Sequence, residues 1–263
     1  MNLNRQEQFI AGVRTALGHA PGQKRSWNAF SDSHDRPAAA QEKDRLLQHI
    51  ANRSGVEREN LVNMLIQAGK PLNLNVIPQK DIAGAAAAIA QLVREKTPEW
   101  RSFKTVAAWK HPLIEKLHLP EILAQQNVPV FFSDFKDESQ RQTLHQNVTD
   151  AFIGVTSADF CLAETATLVM KTRPGLARSV SLLPTIHVAV IAQHQILANL
   201  KELYAVLTRD PAEKKEGLTN CMTFITGPSK TADIEATLVH GAHGPAEVYI
   251  YVLGDNCQSR MDA

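Results

Sequence analysis

The chain has 263 residues, 44% of them apolar, which suits one large globular domain or a domain with an appendage. Its 28 lysines and arginines stand against 27 aspartates and glutamates, so no field of one sign draws in a polyanion, and nucleic acid is not an expected partner. Cys161, Cys221 and Cys257 form no CxxC pair; one copy cannot build a zinc knuckle or a four-thiolate iron–sulfur cluster, and reduced thiols are expected.

Residues 1–20 carry Arg5, Glu7 and Arg14 and lack the unbroken apolar stretch of a secretory signal. Phe9, Ile10, Val13 and Leu17 fall at helical spacing, which predicts a short amphipathic helix over 4–17 that stops at Gly18. Residues 19–40 turn to Pro, Gly, Ser, Asn and charge, a connector in which Trp27 and Phe30 are expected anchors. Two further helices are predicted over 41–53 and 57–67, with Leu46, Leu47 and Ile50 on one face and Leu61, Leu65 and Ile66 on the next.

After Gly69 the pattern alternates: strand 74–77, helix 82–95, strand 105–109, helix 111–117 continuing to 126, strand 128–132 and helix 138–146. The alanine-rich run near 83–93 is too short to span a bilayer, and a cytoplasmic location is expected. Strands and helices alternating over short connections predict a parallel α/β sheet wrapped by helices. Beyond Asp150 the strands crowd, at 152–155, 160–163, 167–171, 179–182 and 187–191, so some antiparallel pairing is expected. A helix over 196–208, a polar loop over 211–217 and strands at 222–225 and 247–253 complete the reading.

Two stretches carry chemistry. In residues 152–170 apolar positions frame Thr156, Ser157, Asp159, Glu164, Thr165 and Thr167. Glu164 ends an apolar strand; buried there its pKa would rise, the condition for a general base or carboxylate nucleophile. The structural alternative has it satisfying backbone amides or pairing with Arg178. In residues 224–235 an apolar strand enters the turn Gly227, Pro228, Ser229, Lys230, Thr231, which offers backbone N–H groups, hydroxyls and an ammonium to a small anion. It lacks P-loop spacing, and its structural alternative is a capped helix starting at Thr231 or Ala232. Asp233 and Glu235 then lie in a first helical turn or point toward Glu164. His240 and His243 sit three apart among glycines, so no metal is expected; His243 is the better proton-transfer candidate, and His187 reads as a core histidine.

These segments, from Gly154 through Phe160, Ala163 through Val169, Ser179 through Pro184, and Ile225 through Glu235 ending in His243, Gly244 and Pro245, resemble the LUD-domain family, lactate utilisation protein C group. The resemblance implies a NagB/RpiA/CoA-transferase-like α/β sheet flanked by helices, with sites at loop ends. It implies an N-terminal helical extension over 1–55, the α/β domain over 56–255 and a tail over 256–263. It also implies a cofactor-free subunit of L-lactate oxidation to pyruvate, acting with iron–sulfur partner proteins that hold the clusters. Ala166 stands where the family usually has glycine, and Lys230 where arginine is common. The first narrows the turn's dihedrals; the second replaces a bidentate fork with a point charge. The competing expectation is a stand-alone enzyme acting on an acyl, CoA or phosphorylated metabolite. It would use Glu164, Asp233 and His243 for catalysis, with Thr156, Asp159, Thr165, Thr167, Arg178, residues 227–231 and Glu235 binding the ligand. A homo-oligomer is compatible with either.

Overall fold

The computed structural model describes residues 5–16, 18, 37–98, 103–134, 138–217, 219, 221–232, 238–241 and 243–254. Trp27, Phe30, Asp233, Glu235 and Cys257 lie outside them. Two compact units divide the chain, residues 1–40 and 41–263. The first contains helix α1 (Arg5–Ala16), which leaves Phe9, Ile10 and Val13 exposed, and the opening of α2 (Pro37–Ala51).

In the second unit, α3 (Gly55–Gly69) starts on a capping box in which Ser54 and Glu57 satisfy each other's backbone N–H groups. A single 3-10 turn over Lys70–Leu72 leads through left-handed Asn73 into β1 (Leu74–Gln79). Asp81 caps α4 (Ile82–Glu95). Then follow β2 (Val106–Ala108), α5 (Pro112–Glu115), α6 (Leu119–Ala124), β3 (Val130–Phe132), α7 (Glu138–Asp150) and β4 (Ile153–Thr156). After β5 (Phe160–Leu162) and β6 (Thr167–Lys171) come α8 (Ser179–Leu182), β7 (Ile186–Ala192), β8 (Ile196–Leu197), α9 (Leu200–Arg209) and α10 (Pro211–Glu216). The last strands are β9 (Met222–Ile225), β10 (Lys230–Ala232), β11 (Leu238–His240) and β12 (Glu247–Leu253).

Six strands form one sheet in the order β1-β12-β7-β4-β2-β3, and every pairing in it is parallel. All seven residues of β7 are buried, as a central strand covered on both faces requires. This is the α/β sheet flanked by helices that the alternation of elements predicts.

A second sheet, β8-β5-β6-β9, pairs β5 with β6 and β6 with β9 antiparallel. Its strands are two-faced. Cys161, Leu168, Met170 and Ile225 join the main core, while Leu162 and Val169 pack with Leu197, Leu203 and Val206, against Leu47 and Ile50. The Arg53 guanidinium, buried, donates to Glu202 and to the Ile196 carbonyl and ties the start of α3 to this smaller core.

Three local expectations are corrected. Residues 179–182 form a helical turn, not a strand: β4 already has β2 and β7 on its two edges, so the chain crosses its face instead. Gly154 permits that crossing, since a Cβ there would meet the Val180 carbonyl oxygen at 1.9 Å. Residues 211–216 form a helix, not a loop. Asp210 accepts from the Ala212 and Glu213 amides at 2.9 and 3.1 Å, Pro211 takes the first helical position, and Gly217 ends it at φ 79°. Thr231 starts no helix; it lies in β10, opposite Val239 of β11.

Candidate functional site

The small sheet sets two polar ends about 13 Å apart, the length of five strand residues. At one end is the β5–β6 turn. Its backbone is clamped: the Ala163 and Glu164 amides donate to the Leu197 and Ala198 carbonyls at 2.8 and 3.0 Å. Ala166, buried, completes the turn at φ 48°, a left-handed conformation that costs an L-residue roughly 1–2 kcal/mol. Thr167 Oγ1 lies 2.8 Å from Thr165 Oγ1 and 2.8 Å from Thr226 Oγ1, a chain of three hydroxyls that joins the turn to the end of β9. Glu164 and Thr165 are exposed beside it.

From Thr226 the chain passes Gly227, at φ 81°, where a Cβ would press on Leu72 at 3.3 Å. Pro228 follows, buried. Ser229 is held to the segment before β12: its amide donates to the Pro245 carbonyl at 2.8 Å, its carbonyl accepts from Gly241 at 3.0 Å, and its hydroxyl accepts from the His243 amide at 3.4 Å. Thr165, Thr167, Gly227, Pro228, Ser229 and His243 are therefore gathered in one region. Lys230 is exposed at the start of β10.

Beyond Pro228 a cleft of about 470 Å³ opens at the amino ends of β1 and β12, lined by Lys70, Asn73, Leu74, Asn75, Pro228, Ala246 and Glu247. Lys96 Nζ donates to both Glu247 oxygens, at 2.8 and 2.6 Å, and the Tyr249 hydroxyl donates to one at 2.6 Å. Burial works against the Glu247 charge, yet these donors hold its carboxyl below the usual range. Sequence reasoning missed Lys70, Asn73, Asn75 and Glu247. The only sequence signal was Asn73, an asparagine between two helix-to-strand elements, the residue type that tolerates a left-handed turn.

The other end of the sheet is a closed ion network. Lys171, 2% exposed, donates to Glu213 at 2.8 and 2.7 Å and to Glu216 at 2.7 Å. Arg173 bridges Glu216 and Asp159, and Asp159 accepts from the Lys171 amide at 2.6 Å. Hydrogen bonds from Arg173 and then Lys171 draw the Glu216 carboxyl down to about 2.

The sequence-derived grouping thus divides. Asp159 belongs to the ion network. Arg178 donates to Cys221 Sγ at 3.3 Å near that same end, away from Glu164, so the pairing of Glu164 with Arg178 is not formed. Thr156 is buried at the end of β4 within the main sheet, its hydroxyl 2.8 Å from Nε2 of His187. His187 is fully buried, which lowers its pKa to about 3 and keeps the ring neutral, as a core histidine should be. Glu164 is exposed, so the burial expected of it is not present. Among the described residues no three His, Cys, Asp or Glu gather as metal ligands, and no helix is long and apolar enough to cross a membrane.

Fold and site together define an α/β protein with a parallel six-stranded sheet and a small mixed sheet whose hydroxyl chain leads through residues 226–229 to the amino ends of β1 and β12. Residues 62–253 match the LUD domain. The chain is 32% identical over 197 residues to lactate utilization protein C of Halalkalibacterium halodurans, covering 75% of this chain and 80% of that one. It is 28% identical over 231 residues to lactate utilization protein C of Shouchella clausii, covering 81% and 98%. A solved structure of a DUF162 family protein from Deinococcus radiodurans aligns with a TM-score of 0.49 at 19% identity, covering 77% of this chain and 99% of that one. The chain belongs to the LUD domain family.

Proposed function

We propose that this chain is a cofactor-free subunit of an L-lactate utilisation system, working beside iron–sulfur partner proteins that oxidise L-lactate to pyruvate. The observation that carries the reading is similarity, over most of both chains, to proteins named lactate utilization protein C. The described cysteines support it. Cys161 is fully buried, which pushes its thiol up to about 12, and Cys221 is engaged by Arg178 at the ion-network end of the small sheet. Neither is offered as a cluster ligand, which is compatible with redox centres held by the partners.

Co-expression with the iron–sulfur partners followed by affinity purification tests the reading. The expected result is a recovered complex and loss of growth on L-lactate when the chain is deleted; a chain that never co-purifies and whose deletion leaves growth intact removes it.

One observation favours a second reading, an enzyme acting on an acyl, CoA or phosphorylated metabolite: the Thr165, Thr167 and Thr226 hydroxyls join the Glu164 turn to the Gly227 turn. Glu164→Gln keeps size and removes charge. A loss of about a hundredfold or more in turnover, at unchanged stability, supports this reading, and unchanged turnover ends it.

A further inference from the structure

The cleft at the amino ends of β1 and β12 carries a charge arrangement of its own. Glu247 is already matched by Lys96 and Tyr249, and the group is neutral as a unit. Of its two oxygens, Oε2 accepts from both Lys96 and Tyr249, whereas Oε1 accepts from Lys96 alone among the described residues and keeps room for another donor. Lys70 is different. Its ammonium bonds the neutral amide of Gln67 at 2.9 Å and has no carboxylate partner among the described residues. It stands just past the carboxyl end of α3, where the helix's partial negative charge favours its ammonium. One ammonium is a match for a monoanion and a poor one for a phosphate dianion or the polyanionic CoA.

Asn73 and Asn75 add amide groups, and Asn75 Nδ2 is held only by a long contact to the Val248 carbonyl at 3.5 Å. Leu74, Pro228 and Ala246 supply the apolar part of the wall. A lining of four polar and three apolar residues suits a small polar metabolite, and its volume holds a small acid with room to spare.

We propose that this cleft binds a small hydroxycarboxylate, with Lys70 receiving the carboxylate and Oε1 of Glu247 accepting a hydrogen bond from the ligand's hydroxyl. The inference deepens the lactate reading and rests on it for the choice of hydroxy acid. An oxo acid has no hydroxyl proton to give and sets a carbonyl oxygen against the carboxylate, so the cleft distinguishes the two oxidation levels of one carbon skeleton.

Titration of the full chain with L-lactate, propionate, pyruvate and inorganic phosphate, read by calorimetry and by thermal unfolding, tests this. L-lactate is expected to raise the unfolding temperature and to bind about tenfold tighter than propionate, with pyruvate and phosphate no tighter than propionate. Lys70→Ala is expected to weaken L-lactate about tenfold while moving the unfolding temperature of the ligand-free chain by no more than about 2 °C, because Lys70 is exposed. Asn75→Ala weakens it by a smaller factor. Absence of L-lactate binding into the tens of millimolar, equal affinity for pyruvate, or unaltered binding by Lys70→Ala overturns the proposal. If binding fails while the chain still co-purifies with its iron–sulfur partners, the cleft assignment falls and the subunit reading stands; binding without co-purification reverses that outcome.

Discussion

The small sheet has two polar ends, one of paired charges and one of hydroxyls, and they behave differently. At the Lys171 end, Lys171, Arg173, Asp159, Glu213 and Glu216 close on one another, and the ammonium that anchors them is almost wholly buried. At the Thr167 end three hydroxyls form a chain, a glutamate faces solvent, and a cleft opens two residues further along from Thr226. Spent charge holds structure, whereas unspent hydrogen-bonding capacity on a clamped backbone is available to a ligand. Substitutions at the two ends should therefore separate stability from binding.

The largest effect is expected from Lys171→Ala. Breaking a fully buried ion pair costs roughly 3–5 kcal/mol; because the Glu216 side chain is 38% exposed, the expected loss here is about 2–3 kcal/mol by urea unfolding. A loss below that of any substitution at the Thr167 end would break the comparison. Glu216→Gln comes next and has a pH signature. The Glu216 carboxyl titrates near 4.5 when unperturbed and at about 2 in the folded chain. A depressed folded value stabilises above the unfolded value and is lost as pH falls through the folded one. The variant should trail the parent at pH 7, and the gap should close between about pH 4.5 and pH 2. A gap independent of pH over that window would mean the carboxylate charge is not what the network uses.

Thr167→Val should cost about 1 kcal/mol, less than either change at the charged end, since Thr165 and Thr226 are exposed and recover water. Its sharper readout is hydrogen exchange. The Ser229 amide, bonded to the Pro245 carbonyl, should exchange faster if the hydroxyl chain is what steadies the 226–229 segment.

Much of the fold was legible because burial leaves a period in the sequence. Helix α4 and strands β6, β9 and β12 fall where the apolar pattern puts them. Residues 179–182 misled because Ser-Val-Ser-Leu alternates like a strand, and only the sheet order reveals that no edge of β4 was open to it. Residues 211–216 misled for the opposite reason: a polar run hid the Asp-Pro start and the glycine stop that both mark a helix. The site was half legible. Thr165 meets Thr167 and Ser229 meets His243, the two pairs joined through residues 226–229, but Asp159 and Arg178 were grouped with them by proximity in the chain, and an antiparallel hairpin brings the two ends of such a stretch together and carries both away from its turn. The cleft was invisible, since Lys70 and Asn73 lie more than 170 positions before Glu247 and share no motif with it.

The smallest effect concerns Ala166, the buried alanine at φ 48° on the turn that carries Glu164. Three terms compete in Ala166→Gly. Relief of the left-handed conformation favours glycine by roughly 1–2 kcal/mol. The extra backbone entropy of glycine in the unfolded chain costs about 0.5–1 kcal/mol, and removing a buried methyl costs about 0.8 kcal/mol more. The sum is near zero, so stability should move by less than about 1 kcal/mol, the least of the four. The turn's backbone bonds to the Leu197 and Ala198 carbonyls do not depend on that side chain, so Glu164 should stay where it is. A destabilisation well above that figure in urea would mean that the methyl's packing outweighs the strain. In that case the alanine fixes the geometry of the hydroxyl end, and that end depends on packing as the other depends on charge.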